Sequence, residues 1–290
     1  MQLWRRPAGI SRAVLRFARR SPLGTAALIF VLALALIAIA APLIAPFDPV
    51  QFHRVDRLNG PGSPYWLGTD SNGRDQLSRL IYGARVSLYV GLVPVVISVG
   101  IGTTLGAISG YLGGVVDLVI QRLMDALMAI PALIIALTLV SLLGPSQNNV
   151  VLAIAVVTFP AVNRVARAAT LQVINLPYVL AAQSIGASDV RLLLFHILPN
   201  ILAPVIVLAA SIVGGAILAE AGLSFLGLGI PPPTATWGNM LSGDNRAVFQ
   251  VAPWLVIFPG IAITLTVLAF NLLGDTLRDM LDPKSRKGGQ

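Results

Sequence analysis

Residues 169–188 read ATLQVINLPYVLAAQSIGAS and sit in an uncharged run, 168–188, long enough to cross a bilayer. Whether that run spans decides the topology. Gln172, Asn175, Gln183 and Ser184 are scattered along it, and Pro177 interrupts it. A lipid-facing helix would strand those polar groups, at roughly 2–7 kcal/mol for each one left without a partner. The run is therefore read as a loop on the polar side of the membrane that holds short helices.

The rest of the chain is strongly apolar. Of its 290 residues, 56% are hydrophobic and 11% charged, against about 45–50% and about 25% in soluble domains. This composition excludes a soluble enzyme, a disordered chain and a nucleic-acid-binding domain as leading readings, despite a net charge of +8. There are no cysteines, so disulfides, thiolate metal sites and cysteine nucleophiles are excluded.

A spanning helix needs about 20 mainly apolar residues. The other long uncharged stretches are 21–47, 86–116, 126–163, 192–219 and 247–274. The stretch 126–163 is broken by GPSQNN at 144–149, a turn-like run. Six spans are expected, near 23–45, 86–109, 118–142, 150–168, 201–224 and 252–274, which makes an all-α polytopic membrane protein. Around them lie a basic tail (1–22), an extracytoplasmic segment (46–85), a cytoplasmic loop (169–200), an outer loop (225–251) and a C-terminal tail (275–290); residues 86–274 form the core of five spans.

Orientation follows the distribution of Lys and Arg. With the N-terminus inside, fourteen basic residues face the cytoplasm and six, Arg54, Arg57, Arg74, Arg79, Arg85 and Arg246, face outward. Both termini are then cytoplasmic. The first apolar run is longer than a signal-peptide core, which favours an uncleaved anchor. Ahead of it, Ile10, Val14 and Phe17 share one helical face and Arg12, Arg16 and Arg19 another. That pattern suits either a helix on the anionic leaflet or a plain orienting tail.

Chemistry on this chain is sparse. Both lysines lie in the last seven residues, so a phosphate-binding GxxxxGK[ST] loop cannot occur in its body. His53 and His196 are isolated, and no local metal site or histidine triad can be built from them. No catalytic or metal-ligating residue is assigned. Any energy must come from a partner or an ion gradient.

The segment YVLAAQSIGASDVRLLLFHILPNILAP, 178–204, resembles the "EAA" loop of ATP-binding-cassette importer permeases, with matches at Ala181, Ala182, Gly186, Ile197 and Pro199. The usual glutamate position holds Leu180. LGTDSNGRDQLSRLIYGARVSLYVG (67–91), GYLGGVVDLVIQRLMDALMAIP (110–131) and LAEAGLSFLGLGIPPPTATWGNML (218–241) look like the C-type permease subunit of oligopeptide, dipeptide and nickel importers. The resemblance implies a type I importer permease fold in a bacterial inner membrane. It implies a second, homologous permease subunit, two cytoplasmic ATPases that carry the ATP and Mg2+, and an extracytoplasmic solute-binding protein. It further implies peptide cargo, with nickel or glutathione as alternatives, and no nucleic-acid partner or cofactor on this chain.

On that resemblance Leu180, Ala181, Ala182, Ser184, Gly186, Ala187, Asp189, Arg191 and Pro199 form the ATPase-coupling segment. Small alanines permit close helix approach, Gly186 tolerates positive φ, Ser188 suits a cap, and Pro199 marks the boundary before the fifth span. Because Leu180 cannot form a charge-assisted hydrogen bond, docking should rely on apolar packing and Arg191. Glu220, the only glutamate, is either a group lining the substrate pathway or a structural hydrogen-bonding residue. Asp70, Arg74, Asp75 and Trp237, with Pro231–Pro233, are either a docking rim for the binding protein or interface anchors. Gly102, Gly106 and Gly110 form a small-residue ridge for packing inside the subunit or against a partner. The rival classes are a self-sufficient secondary transporter or channel, for which Glu220 is almost the only ion-coupling candidate, and a membrane-anchoring assembly factor without a pathway.

Overall fold

The computed structural model describes residues 21–242 and 248–281. The basic tail, Arg246 and the three basic residues beyond 281 lie outside the described residues. Among the described residues the chain is helical, with a single isolated bridge between Thr69 and Asp75. Helix α1 is Pro22–Ile44, α2 Gln76–Leu112, α3 Gly114–Met128, α4 Ala132–Leu143, α5 Gln147–Val173, α6 Pro177–Ser184, α7 Asp189–Arg191, α8 Leu198–Phe225, α9 Trp237–Met240 and α10 Trp254–Leu281. Five helical segments are long and apolar enough to span, and α3 with α4 makes a sixth if the bent pair counts as one.

Three boundaries differ from the expectation. The second span begins at Gln76 rather than near 86. Charged Arg79 and Arg85 concealed its first turns, but Asp75 caps the helix by accepting the Ser78 N–H at 2.7 Å, a standard N-terminal device. At about 1.5 Å per residue its 37 residues extend well beyond a ~30 Å hydrocarbon core.

The third span, expected as one helix over 118–142, is two helices bent by 87°. Pro131 lies at the break with extended backbone, φ −54° and ψ 130°. Proline lacks the N–H needed to continue the helical ladder and restricts the residue before it.

Pro199 lies in the first turn of α8, as expected, but helix also precedes it. Residues 192–197 form a π-helical turn, in which the Leu198 N–H donates to the Leu193 carbonyl, and helix continues through Pro199 into α8. The wider turn breaks the ordinary i→i−4 register immediately before the residue that cannot donate.

GPSQNN divides as its residues dictate. Gly144, at φ 88°, follows α4, and Ser146 caps α5 by accepting the Asn149 N–H at 3.2 Å. The run 168–188 is also divided: α5 continues to Val173, and the loop proper starts at Ile174.

The glycine ridge settles its own assignment. A Cβ on Gly106 would lie 2.5 Å from the Asn163 carbonyl oxygen, and one on Gly102 would lie 2.7 Å from that of Phe159. Helices α2 and α5 therefore pack backbone to backbone within this subunit. Around this pair, α8 packs against α2, α5 and α10, and α1 against α2 and α10. Large residues on α1, such as Leu36 and Ile39, remain exposed, as a lipid-facing surface requires.

Candidate functional site

The core has two parts. The larger joins α1, α2, α4, α5, α8 and α10. The smaller joins Ala107, Val162, Ala166 and Val173 with Val179, Ala182, Leu192, Ile197, Ile201 and Val205. This second cluster seats the 174–197 segment on the ends of α2, α5 and α8.

Pro177 opens α6 at its first position, where its missing N–H costs nothing. The helix ends two turns later in a double clasp. The Gly186 N–H donates to the Gln183 carbonyl at 3.0 Å, and the Ala187 N–H to the Ala182 carbonyl at 3.1 Å. With Gly186 at φ 84°, this is a Schellman motif, and it explains a glycine four residues after Ala182. The Ser184 hydroxyl donates to the Leu180 carbonyl at 2.9 Å. Ser188 occupies the cap position of α7, but its side chain makes no capping bond.

The segment is two-faced. Val179, Ala182, Leu192 and Ile197 are buried, while Leu180, Ile185, Val190, Leu194 and Phe195 are exposed, Ile185 by 87%. Ala181, Ser184, Gly186, Asp189, Arg191 and Pro199 are also exposed, and Ala187 is half-buried. The two alanines thus differ in role. Ala182 is small because it meets the second core, whereas Ala181 faces outward.

Tyr111 binds this segment to the bundle, and further side-chain contacts tie α2, α3 and α5 together. The Tyr111 hydroxyl at the end of α2 donates to Asp189 Oδ1 at 2.6 Å. Arg167 of α5 makes a bidentate pair with Asp117 of α3, both contacts at 2.6 Å. The Ser109 hydroxyl also donates to Asp117. Gln121 bridges Ser109 and Asn163 at 2.9 and 3.1 Å. Arg164 pairs with Asp125 at 2.7 Å, with both side chains about half exposed. The sequence reading missed these pairs. Two acids eight residues apart on one helix and two arginines three apart on another were the available signal.

At the opposite end lies a polar cap, built from the residues read as either a docking rim or interface anchors. Asp70, Arg74, Asp75 and Trp237 are all buried, so they do not themselves present a rim. Asp70 accepts Nε of Arg74 at 2.7 Å and the backbone N–H groups of Asn72 and Arg74 at 2.8 and 2.9 Å. Arg79 Nε lies 3.6 Å from the same carboxylate, and its Nη1 donates to the Pro49 carbonyl at 3.1 Å. Trp237 lies against Gly83, and its indole N–H donates to the Leu80 carbonyl at 3.0 Å. A buried aromatic N–H and a buried charge each need such a partner. Tyr65 donates to Asp56 Oδ2 at 2.9 Å. Burial, then that bond, holds its phenol above the ordinary pKa.

Glu220 belongs to this cap. It is 1% exposed, and its Oε1 accepts the hydroxyls of Ser224 and Thr236 at 2.7 and 2.9 Å. Gly238 closes over the other oxygen, which a Cβ there would approach to 2.9 Å. The carboxyl joins the α8 end to the 226–240 loop, as a structural hydrogen-bonding residue does.

Comparison with known proteins gives concordant results. Residues 102–287 match the family described as binding-protein-dependent transport system inner membrane component. Residues 11–61 match the N-terminal TM domain of oligopeptide transport permease C. The dipeptide transport system permease protein DppC of Haemophilus influenzae is 47% identical over 266 residues, 90% of each chain. That of Alkalihalophilus pseudofirmus is 43% identical over 268 residues, 92% of this chain and 88% of that one. The glutathione transport system permease protein GsiD of Escherichia coli O157:H7 is 46% identical over 270 residues, 93% of this chain and 88% of that one. Among solved structures, an amino acid ABC transporter chain overlays with TM-score 0.49 and 17% identity, over 72% of this chain and 94% of that one. The chain belongs to the binding-protein-dependent inner membrane component family, as a multi-pass permease subunit of an ATP-binding-cassette importer.

Proposed function

We propose that this chain forms half of a translocation pathway that imports short peptides, and that residues 177–199 couple it to a cytoplasmic ATPase. A second, homologous permease subunit supplies the other half, two ATPases hold the ATP and Mg2+, and an extracytoplasmic binding protein delivers cargo. Transport proceeds by alternating access, with no covalent chemistry on this chain. The cargo assignment follows the named functions of the relatives, dipeptide and glutathione transport.

The observation that carries the coupling assignment is the two-faced 174–197 segment. Its inner face is part of the second core. Its outer face presents Leu180, Ile185, Leu194 and Phe195 to its surroundings. An apolar knob of this kind on a polar-side loop calls for a protein partner. With Leu180 in the glutamate position, the partner's groove is met by packing and by Arg191, which has no ion-pair partner among the described residues. The Schellman clasp and the Tyr111–Asp189 bond let α6 and α7 move as a unit with α2 and α5.

The test is ATP-driven uptake of a labelled dipeptide by the assembled importer in proteoliposomes carrying Ile185→Asp. A charge placed on the exposed knob leaves folding unchanged but desolvates unfavourably in the groove. Uptake is expected to fall at least tenfold, with loss of ATPase subunits on mild-detergent pull-down. Full uptake with intact assembly would end the coupling assignment.

A further inference from the structure

A cavity of about 480 Å3 opens at the capped end, between the 52–74 loop, the turn at Pro145 and the 224–242 loop. Its walls include Phe52, Pro231–Pro233 and Ser242, and Arg74 is the one charged side chain among the described residues that line it. We infer that this pocket receives the carboxylate terminus of a short peptide at the outer face of the permease. The inference rests on the reading of the chain as a peptide importer subunit, and it adds a cargo-recognition site on this subunit itself.

The guanidinium is built in rather than incidental. Arg74 is 8% exposed. Its Nε is fixed on Asp70 at 2.7 Å, and its Cζ lies 5.5 Å from the centre of the Phe52 ring. These contacts hold the plane of the fork. The terminal amino groups have no hydrogen-bond partner among the described residues, and they complete the kind of planar donor pair that binds a carboxylate at two points. The adjacent Asn72 uses its backbone N–H on Asp70 and keeps its side-chain amide for a ligand.

Among the described residues that line the cavity, the charge is a cation. Asp70 faces two guanidiniums, Arg74 at 2.7 Å and Arg79 at 3.6 Å, so one positive charge remains unmatched within this trio. The neighbouring Asp75 does not line the cavity, and its Oδ2 accepts the N–H and hydroxyl of Ser78, both at 2.7 Å. The prolines bring no N–H into the wall, and with Phe52 and Ile230 they offer apolar surface to peptide side chains. The volume lies within the ~300–1,000 Å3 usual for small-ligand sites, more than a single docking carboxylate side chain requires. A concave site with one cation at its wall fits a small ligand better than the broad face of a protein.

The experiment uses the complete importer, both permeases with their ATPases, in nanodiscs without the binding protein. Trialanine and its C-terminal amide are titrated against it. Two variants are compared with the wild type. Arg74→Gln removes the fork. Asn72→Asp leaves the Asp70 pairing in place and sets a like charge beside the ligand. The free acid is expected to bind at least tenfold more tightly than the amide, and Asn72→Asp to erase that preference while leaving the amide unchanged. Equal affinity for acid and amide, no binding of the free acid, or a preference that survives Asn72→Asp would overturn the inference. If Asn72→Asp instead weakened attachment of the cargo-free binding protein and spared free-peptide binding, the occupant would be an acidic side chain of that protein and the peptide site would be refuted. Uptake of trialanine by the same complex supplied with the binding protein and ATP keeps the two readings apart. Uptake without carboxylate preference removes only the pocket. No uptake of any short peptide removes the importer reading beneath it.

Discussion

The two ends of this bundle place opposite kinds of residue on opposite sides of their surfaces. At the capped end, charges and tryptophan are inside: Asp70, Arg74, Arg79, Glu220 and Trp237 are buried and hydrogen-bonded. At the 174–197 end, apolar side chains are outside, with Ile185, Val190 and Phe195 among the most exposed. A buried polar knot resists deformation, because each of its members is costly to leave unpaired. An apolar knob is incomplete until another surface covers it. On the coupling proposed above, one end holds its own shape and the other transmits a partner's movement into the bundle.

The largest effect should come from breaking the cap. Asp70→Asn keeps the shape of the side chain but turns an acceptor into a donor facing two guanidiniums. Removing one partner from a buried charge cluster costs about 3–5 kcal/mol. Thermal unfolding of the purified importer in detergent should show that loss, with the 52–75 loop becoming open to proteolysis. Near-wild-type stability would mean that Arg74 and Arg79 do not depend on this carboxylate, and the contrast between the ends would weaken.

Sequence alone went far with the membrane and less far with the caps. The reading of 168–188 as a loop rested on Gln172, Asn175 and Pro177, and α6 does begin at Pro177. The ridge Gly102–Gly106–Gly110 announced close packing but not its direction; only the placement of Phe159 and Asn163 shows that it faces α5. The start of α2 was hidden because hydropathy counts Arg79 as a boundary, whereas Asp70 and the Pro49 carbonyl make it an interior residue. The same blindness made Asp70, Arg74, Asp75 and Trp237 look like a surface rim. A residue type reports that a partner is needed, not whether the partner lies in this chain or another. For the 178–199 segment the motif marked a set of residues, but the opposite facing of Ala181 and Ala182 depends on α6 lying across the second core.

An intermediate effect is expected in the helix pair that both ends share. Gly106→Val places a branched side chain where a Cβ already meets the Asn163 carbonyl oxygen at 2.5 Å and the Ala166 Cβ at 2.8 Å. Overpacking of this order costs about 1–3 kcal/mol, and here the obstruction is partly backbone, which cannot rotate away. Thermal unfolding of Gly106→Val should fall between Asp70→Asn and the wild type. If α2 moves relative to α5 during transport, uptake should fall further than stability does. Parallel loss of the two would indicate a rigid pair, and the bundle would then move as one body.

The smallest effect on stability, and the sharpest on the comparison, should come from Gly186. Its φ of 84° is open to L-residues only at a cost of roughly 1–2 kcal/mol, and a Cβ there would meet nothing within 4 Å. Gly186→Ala therefore strains the Schellman clasp without a clash, and Gly186→Asn strains it less, because asparagine accepts the left-handed region more readily. Global unfolding should shift little, since Gly186 itself is exposed and an added Cβ clashes with nothing. The α6–α7 corner should loosen, so that ATP hydrolysed per peptide imported rises in Gly186→Ala and is partly restored in Gly186→Asn. That ordering separates a conformational role from loss of a contact surface, because alanine and asparagine both add atoms to the outer face but differ in the backbone they permit. An equal defect in the two would place Gly186 at the ATPase surface for want of a side chain, and the clasp would no longer account for the glycine.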